Sequence, residues 1–151
     1  EKPFWGVNTL EAYANLVNPV SQPICPILDA KKKEVYTARF KYKNNKLVKE
    51  TPDQAVSPQE LCEMTQEPSV FLGGGVEPYK DFLTSRLGNK FIENAPVKNQ
   101  TIAASAVQIV LNQSQANPGF DLDALTIHYV RKSEAEINNN ILNQEVVKHG
   151  Y

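Results

Sequence analysis

Cysteine, histidine and long apolar stretches are scarce in this sequence of 151 residues. The two cysteines, Cys25 and Cys62, form no CxxC metal or redox pair and are too few for a disulfide framework. The two histidines, His128 and His149, belong to no HExxH motif or His/Cys cluster, which argues against a zinc protease site. The sequence also lacks a P-loop, a GxGxxG motif and a GxSxG motif.

The scarcity of long apolar runs and of cysteine also bears on the cellular compartment of the protein. No apolar run approaches the ~20 residues of a membrane span, and we expect neither a span nor a signal peptide. Apolar neighbours make Cys25 a small core residue, and free thiols are typical of the reducing cytoplasm. Because the chain begins at Glu1 rather than Met, we expect it to be a piece of a longer protein.

The composition of residues 1–151 is that of one soluble globular domain. Hydrophobic residues make up 41% and charged residues 22%, and this length suffices for one buried core. The formal net charge of −1 gives no overall basic field, so the molecule is not a bulk nucleic-acid binder.

Hydrophobic periodicity predicts strands alternating with helices, which favours an α/β structure with a mixed sheet. Strands are predicted over 24–30, 69–72, 91–92 and 125–130, with a β-hairpin over 34–50. Helices are predicted over 9–17, after the Ser57 cap, from the glycine run through Leu87, over 101–113 and from Ser133. The apolar helix over 101–113 is expected to be mostly buried.

The predicted hairpin is strongly basic. Between Lys31 and Lys49 there are eight Lys and Arg residues and a single acid, Glu34. Asn44 and Asn45 suit the turn, since both tolerate positive φ. The candidates for RNA contact are Lys31, Lys32, Lys33, Arg39, Lys41 and Lys43. The alternative is a solvated edge whose lysines prevent edge-to-edge aggregation.

Two further groups of residues are weak candidates for ligand chemistry. Gly73, Gly74 and Gly75 lie between a strand and a helix, where backbone N–H groups could approach a phosphate or where glycines simply permit a tight turn. Asp29 and Glu34 flank the lysines, where two carboxylates could hold a metal or act as acid and base, or serve in ion pairing and capping.

The last candidate lies near the end of the chain. Alternation over residues 127–131 puts Tyr129 and Arg131 on one face of a strand and His128 on the other. Arg131 could bind a carboxylate through two hydrogen bonds. The alternative is a structural anchor at a strand end.

Four segments, in order, resemble the bacterial TsaB (YeaZ) family. Residues 6–12 (GVNTLEA) resemble its "GVSSLEALA", and residues 29–36 (DAKKKEVY) resemble its "DARRxEVY". Residues 73–79 (GGGVEPY) match its "GxGAxxY" turn except at Val76. Residues 126–131 (TIHYVR), followed by Glu134-Ala135-Glu136, resemble its closing "PxYLR…AE", with His128 in place of Pro.

This resemblance implies a ribonuclease-H-like fold of the actin-like superfamily and a non-catalytic role in making threonylcarbamoyladenosine beside the anticodon of tRNA. The implied partners are the catalytic paralogue TsaD and the ATPase TsaE. Asp29, Glu34, Tyr36, Tyr129 and Arg131 become motif residues with a structural or partner role. The family's old label, glycoprotease, implies an activity for which the sequence shows no residues.

The resemblance covers only the second, C-terminal lobe of the family. The opening "DTS" strand and the "GPGSFTGLR" segment of the first lobe are absent from the sequence. In the superfamily a nucleotide and a metal lie between two lobes, so we expect no cofactor in one lobe alone. The first lobe also makes the family's chief contact with TsaD, and an apolar face left exposed here could pair two copies of the chain. A metal–phosphate enzyme and an RNA-binding module are the alternative functions.

Overall fold

The computed structural model describes residues 5–93 and 95–114, together with residue 130. Within these residues the elements follow in the order α1 Thr9–Ala14, β1 Ile24–Asp29, β2 Val35–Thr37, β3 Phe40–Lys43, β4 Lys46–Lys49, β5 Gln54–Val56, α2 Pro58–Met64, β6 Ser69–Leu72, α3 Val76–Leu87, a 3-10 turn Gly88–Lys90, β7 Phe91–Ile92 and α4 Ile102–Ser114. The strand predicted over 125–130 and the helix predicted from Ser133 lie outside the described residues.

Strand β1 organises a mixed sheet, as predicted. It pairs antiparallel with β2 and β3 on one side and parallel with β6 on the other, and β6 pairs parallel with β7. Antiparallel pairing of β3 with β4 and of β2 with β5 extends the sheet. The parallel pairing of β1 with β6 requires a long crossover, which contains the antiparallel strands and α2.

Strands β2 and β3 are two halves of one interrupted strand, within the segment where the sequence predicts a β-hairpin over 34–50. Ile24 lies opposite Phe40 and Ile27 opposite Thr37, so both halves share one register against β1. On the outer side, Phe40 faces Lys49 while Thr37 faces Gln54, so the neighbouring strand carries two extra residues. This bulge interrupts the predicted strand at Ala38 and Arg39 and produces the unpredicted strand β5.

Both faces of the sheet are covered. Helices α2 and α3 pack on one face around Ile27, Val35 and Phe71. Helix α1 covers the other face, where Leu10 and Phe40 lie in a second apolar cluster. Cys25 belongs to the first cluster, which confirms its predicted core role. None of the helices in the described part of the chain is long and apolar enough to cross a bilayer.

Two helices differ from their predictions. Helix α1 ends at Ala14 rather than at residue 17, because Leu16 and Val17 make tighter i→i−3 backbone bonds. Helix α4 has nearly the predicted bounds but is largely exposed, with Val107 and Leu111 each 57% exposed. The expected burial is wrong because, among the described elements, α4 packs chiefly on α1 as an outer layer rather than on the sheet.

The turn after β6 crosses the backbone of β1 at close range. The Gly75 N–H donates to the Ile27 carbonyl oxygen at 2.9 Å. Gly73 has a φ of +106°, and a Cβ there would lie 2.5 Å from that same oxygen. At Gly74 a Cβ would meet no atom within 4 Å. The turn therefore requires glycine at Gly73 and tolerates a side chain at Gly74.

Alanine substitutions test this crossing. Gly73→Ala should lower the free energy of unfolding by about 2–3 kcal/mol, because the methyl group meets both an unfavourable φ and a backbone oxygen. Gly74→Ala is the matched control and should change the free energy of unfolding by less than about 0.5 kcal/mol. Urea denaturation followed by circular dichroism measures both. Equal losses in the two variants would contradict the proposed close approach.

Candidate functional site

The three consecutive lysines, here called the basic turn (Lys31–Lys33), connect β1 to β2. Their φ values are 62°, 51° and 62°, so each adopts the left-handed conformation that costs a non-glycine residue about 1 kcal/mol. Two backbone bonds close the loop, from Ala30 N–H to the Glu34 oxygen at 3.0 Å and from Glu34 N–H to the Lys31 oxygen at 2.9 Å. The basic turn thus has a defined backbone conformation, and it presents three exposed lysines beyond the sheet.

Asp29 serves to cap this turn. Its Oδ1 accepts a hydrogen bond from the Lys31 N–H at 2.8 Å, and its Oδ2 lies 2.7 Å from the Lys31 ammonium. These contacts with Lys31 hold the pKa of the Asp29 carboxyl below its usual range. An ionised carboxylate held in this way is poorly suited to accept or deliver a proton near neutral pH. The geometry favours the capping interpretation of Asp29 over the catalytic one.

The basic face of the hairpin carries its own counter-charges. Arg39 Nε lies 2.9 Å from Glu50, and its Nη2 contacts Glu67. Lys43 pairs with Glu50 at 2.9 Å, and Lys41 lies 3.8 Å from Glu67. We call these five residues the charged face. Arg39, Lys41 and Lys43 are therefore paired within the charged face, and Lys31 is paired with Asp29. The basic turn is still the better candidate, because all three of its lysines are exposed.

The charged face also explains two pKa shifts. The Arg39 guanidinium donates hydrogen bonds that lower the pKa of Glu50 and of Glu67 below their usual range, and Lys43 adds to the effect at Glu50. Sequence reasoning missed these pairs because Glu50 and Glu67 are 11 and 28 residues from Arg39. Only the folding of β4 and β6 against β3 and β1 brings them together.

The other candidates occupy structural positions or fall outside the described residues. In the glycine turn the N–H groups of Gly75 and Val76 donate to backbone oxygens, which leaves fewer donors for a phosphate. Tyr36 packs, half-buried, against the apolar cluster beneath α1. Tyr129, Arg131 and His128 lie outside the described part of the chain.

Both thiols are poor nucleophiles. Burial raises the pKa of Cys25 to about 12, and burial also raises the pKa of Cys62. Thiols with raised pKa values stay protonated at neutral pH, whereas a catalytic cysteine acts as a thiolate.

One concave surface was not foreseen from the sequence. It has a volume of ≈ 750 Å³ and lies between α1, the turn joining β3 to β4, and α4. Lys98 also lines it, with its Nζ 3.1 Å from Asn15 Oδ1. We call it the amide cleft because five carboxamide side chains from the described part of the chain line it, namely Asn15, Asn45, Gln108, Asn112 and Gln113. The sequence signal available for this surface was the i,i+4 spacing of Gln108 and Asn112, which places the two amides side by side on a helix.

Comparison with known proteins places this architecture in a family. The family model for TsaD, described as tRNA N6-adenosine threonylcarbamoyltransferase, matches residues 1–138. The chain belongs to the TsaD family. Within it, the chain is 33% identical over 138 residues to the tRNA threonylcarbamoyladenosine biosynthesis protein TsaB of Bacillus subtilis (strain 168). The predicted TsaB (YeaZ) membership is confirmed.

The extent of the match matters for function. The alignment with TsaB covers 89% of this chain but 58% of the relative. A crystal structure from Pseudomonas aeruginosa, of an uncharacterized protein with similarity to peptidase YEAZ, superimposes with a TM-score of 0.51 at 12% identity. That likeness covers 82% of this chain and 55% of the other, and it confirms the predicted ribonuclease-H-like α/β fold. The chain thus spans little more than half the length of these TsaB-like proteins.

The charged face of this TsaB-like chain should make its stability depend on pH. Glu50 and Glu67 have lower pKa values folded than unfolded, so their contribution is complete above about pH 5 and diminishes as the pH falls through the folded values. We expect the free energy of unfolding to fall more steeply between about pH 5 and pH 3 in the wild type than in Arg39→Gln.

Urea denaturation midpoints measured across this pH range supply the test. Arg86→Gln is the matched control, because Arg86 lies over the Phe82 ring on α3, away from the charged face. It should keep the wild-type pH slope. Parallel curves for the wild type and Arg39→Gln would show that Arg39 does not hold these carboxylates ionised.

Proposed function

We propose that this chain is the second lobe of a TsaB-like protein and that it supports, without catalysing, the formation of N6-threonylcarbamoyl adenosine in tRNA. The main support is its relation to a TsaB of tRNA threonylcarbamoyladenosine biosynthesis, together with the ion pairs that Asp29, Glu50 and Glu67 make within the described residues. Residues 1–151 would form a single lobe, consistent with a match to 58% of TsaB.

The state of the reactive side chains supports a non-catalytic role. Asp29 is bound to Lys31, while Glu50 and Glu67 are bound to Arg39. Asp53 is buried between Asn8 and Lys49, where it accepts from the Asn8 amide at 2.6 Å. Each of these carboxylates is engaged in an ion pair or a hydrogen bond, which supports a structural role for it.

The chemistry would then belong to a partner. The family resemblance implies a TsaD-like catalytic paralogue and a TsaE-like ATPase as partners, with the chief TsaD contact made by a first lobe. The free thiols Cys25 and Cys62 suit a reducing compartment, and we place the protein in the cytoplasm. Pairing of two copies of the chain remains a further prediction, for which the exposed Val107 and Leu111 on α4 are the candidates.

A chimera tests the supporting role directly. In a Bacillus subtilis strain depleted of its own TsaB, the matched segment of TsaB is replaced by this chain, so that the relative keeps its remaining part. We expect the chimera to restore the modified nucleoside in tRNA, measured by mass spectrometry of nuclease digests. Asp29→Asn and Glu34→Gln should leave the level within about twofold, because neither carboxylate takes part in the reaction.

The negative control is the chimera carrying Gly73→Ala, whose lobe should be destabilised. Failure of the wild-type chimera, when its protein is present and folded, would contradict the proposal. So would metal-dependent peptidase or ATPase turnover by the purified chain that Asp29→Ala abolishes.

A second function, contact with tRNA through the basic turn, is favoured by one observation. Three successive lysines hold a left-handed conformation that lysine does not prefer, and all three are exposed. Lys31 has a partner in Asp29, but that pair is exposed and contributes little stability. The turn therefore concentrates positive charge at a fixed place on the sheet edge.

Charge reversal at the basic turn tests this contact. A Lys31/Lys32/Lys33→Glu variant should bind tRNA at least tenfold more weakly at low salt, because phosphate binding depends on these cations. The slope of log affinity against log salt should flatten by roughly 0.7–0.9 for each phosphate that the variant no longer neutralises. Filter binding with bulk tRNA measures both quantities.

The matched control changes the same number of charges elsewhere. Lys80/Arg86/Lys90→Glu alters α3 and the turn after it, far along the chain from the basic turn. It should bind tRNA within about twofold of the wild type. If both triple variants lose affinity equally, the effect is one of net charge and the basic turn has no special role.

A further inference from the structure

Lys98 differs from six other cations of the described residues in the partner of its charged group. Across the described ranges, Lys31, Arg39, Lys41, Lys43, Lys49 and Lys80 all have carboxylate partners. Lys98 has instead an amide oxygen, Asn15 Oδ1, and its pKa is lowered because burial disfavours the charged form. Its ammonium is therefore a partly desolvated charge that a bound anion would stabilise.

The backbone holds Lys98 firmly at the edge of the cleft. The Lys98 N–H donates to the Leu16 oxygen at 2.7 Å, and Val97 forms a β-bridge with Val17. Asn15 is fixed in turn, because its amide donates to Ser105 Oγ at 3.0 Å. An anion arriving at Lys98 would thus meet a site whose main groups are already in place.

The rest of the amide cleft suits a flat, polar ring better than a bare anion. Carboxamides carry a donor and an acceptor side by side, the pattern that Asn and Gln use to bind the edges of nucleobases. Gln108 and Asn112 stand one turn apart on α4. Tyr42, whose hydroxyl donates to the Val17 oxygen at 3.0 Å, supplies an aromatic side chain in a fixed position.

The size of the amide cleft and the charges that line it also fit a ligand that carries a flat, polar ring and an anion. A volume of ≈ 750 Å³ lies within the range of small-molecule sites, roughly 300–1,000 Å³. Among the described residues, the charged groups lining the cleft are Lys98, Lys46 and Glu11. A second cation would reinforce phosphate binding, and one acid offers an acceptor to the amino group of a base.

We propose that the amide cleft binds a nucleotide, with the phosphate on Lys98 and the base among the carboxamides of Asn15 and α4. The nucleotide is either free or one unit of a single-stranded RNA, since both present the same phosphate and base. The site is separate from the basic turn and does not depend on the proposed role in tRNA modification.

Nuclear magnetic resonance of the full ¹⁵N-labelled chain tests the proposal, because carboxamide NH₂ groups give separate signals. Adenosine monophosphate should shift the side-chain signals of Asn15, Gln108 and Asn112, whereas inorganic phosphate and adenosine should each bind at least fivefold more weakly. A six-nucleotide single-stranded RNA forms the other arm. Tighter binding of the RNA identifies an RNA strand as the source, and tighter binding of the mononucleotide identifies a free nucleotide.

Three variants decide whether Lys98 is the anion site. Lys98→Gln should raise the Kd for the tighter ligand at least tenfold. Asn15→Asp should do the same, because it places a competing carboxylate beside the ammonium. Lys90→Gln is the matched control and should leave the Kd within twofold, since Lys90 Nζ contacts the Thr65 oxygen away from the cleft. Thermal unfolding of each variant verifies that it is folded.

Three results would overturn the proposal. The first is no shift of the carboxamide signals with either the mononucleotide or the RNA at millimolar concentration. The second is equal Kd values for the wild type and Lys98→Gln. The third is an ion pair between Lys98 and a carboxylate from beyond residue 114, because the cleft would then be filled by the chain itself.

Discussion

The contact between the Ile27 carbonyl oxygen and the glycine turn is the constraint on which the rest of this fold depends. Through it, the turn that starts α3 lies directly against the central strand, with the Gly75 N–H bound to that oxygen. Strand β6 is thereby kept parallel to β1, and α3 is placed over Val35 and Phe71. The glycine run is explained by this packing before any ligand is considered.

Features specified by neighbouring residues were predictable from the sequence. Ser57 and Glu60 form a capping box that starts α2, and Asn44 and Asn45 adopt the positive φ values of a hairpin turn. In both cases the information lies within three or four residues. The alternation of strands with helices likewise followed from local periodicity. That alternation in turn predicted the mixed sheet.

Features that depend on distant residues were not predictable. The charge of Arg39 could be read from the sequence, but its partners Glu50 and Glu67 come from other strands. The apolar composition of α4 correctly predicted a helix yet gave the wrong burial, because composition does not reveal whether a helix lies on the sheet or on another helix. The amide cleft joins Asn15, Asn45 and Gln108, which only the tertiary fold brings together.

The outer position of α4 has a thermodynamic consequence. Its buried contacts are chiefly with α1, where Ser105 Oγ donates to the Ala12 oxygen at 2.8 Å. Among the described elements α1 is the main neighbour of α4. A helix held in this way can open locally at a smaller free-energy cost than the central strands, so amide hydrogens of α4 should exchange before those of β1. Any molecule that bridges α1 and α4 would slow that opening and link its own affinity to the docking of the outer helix.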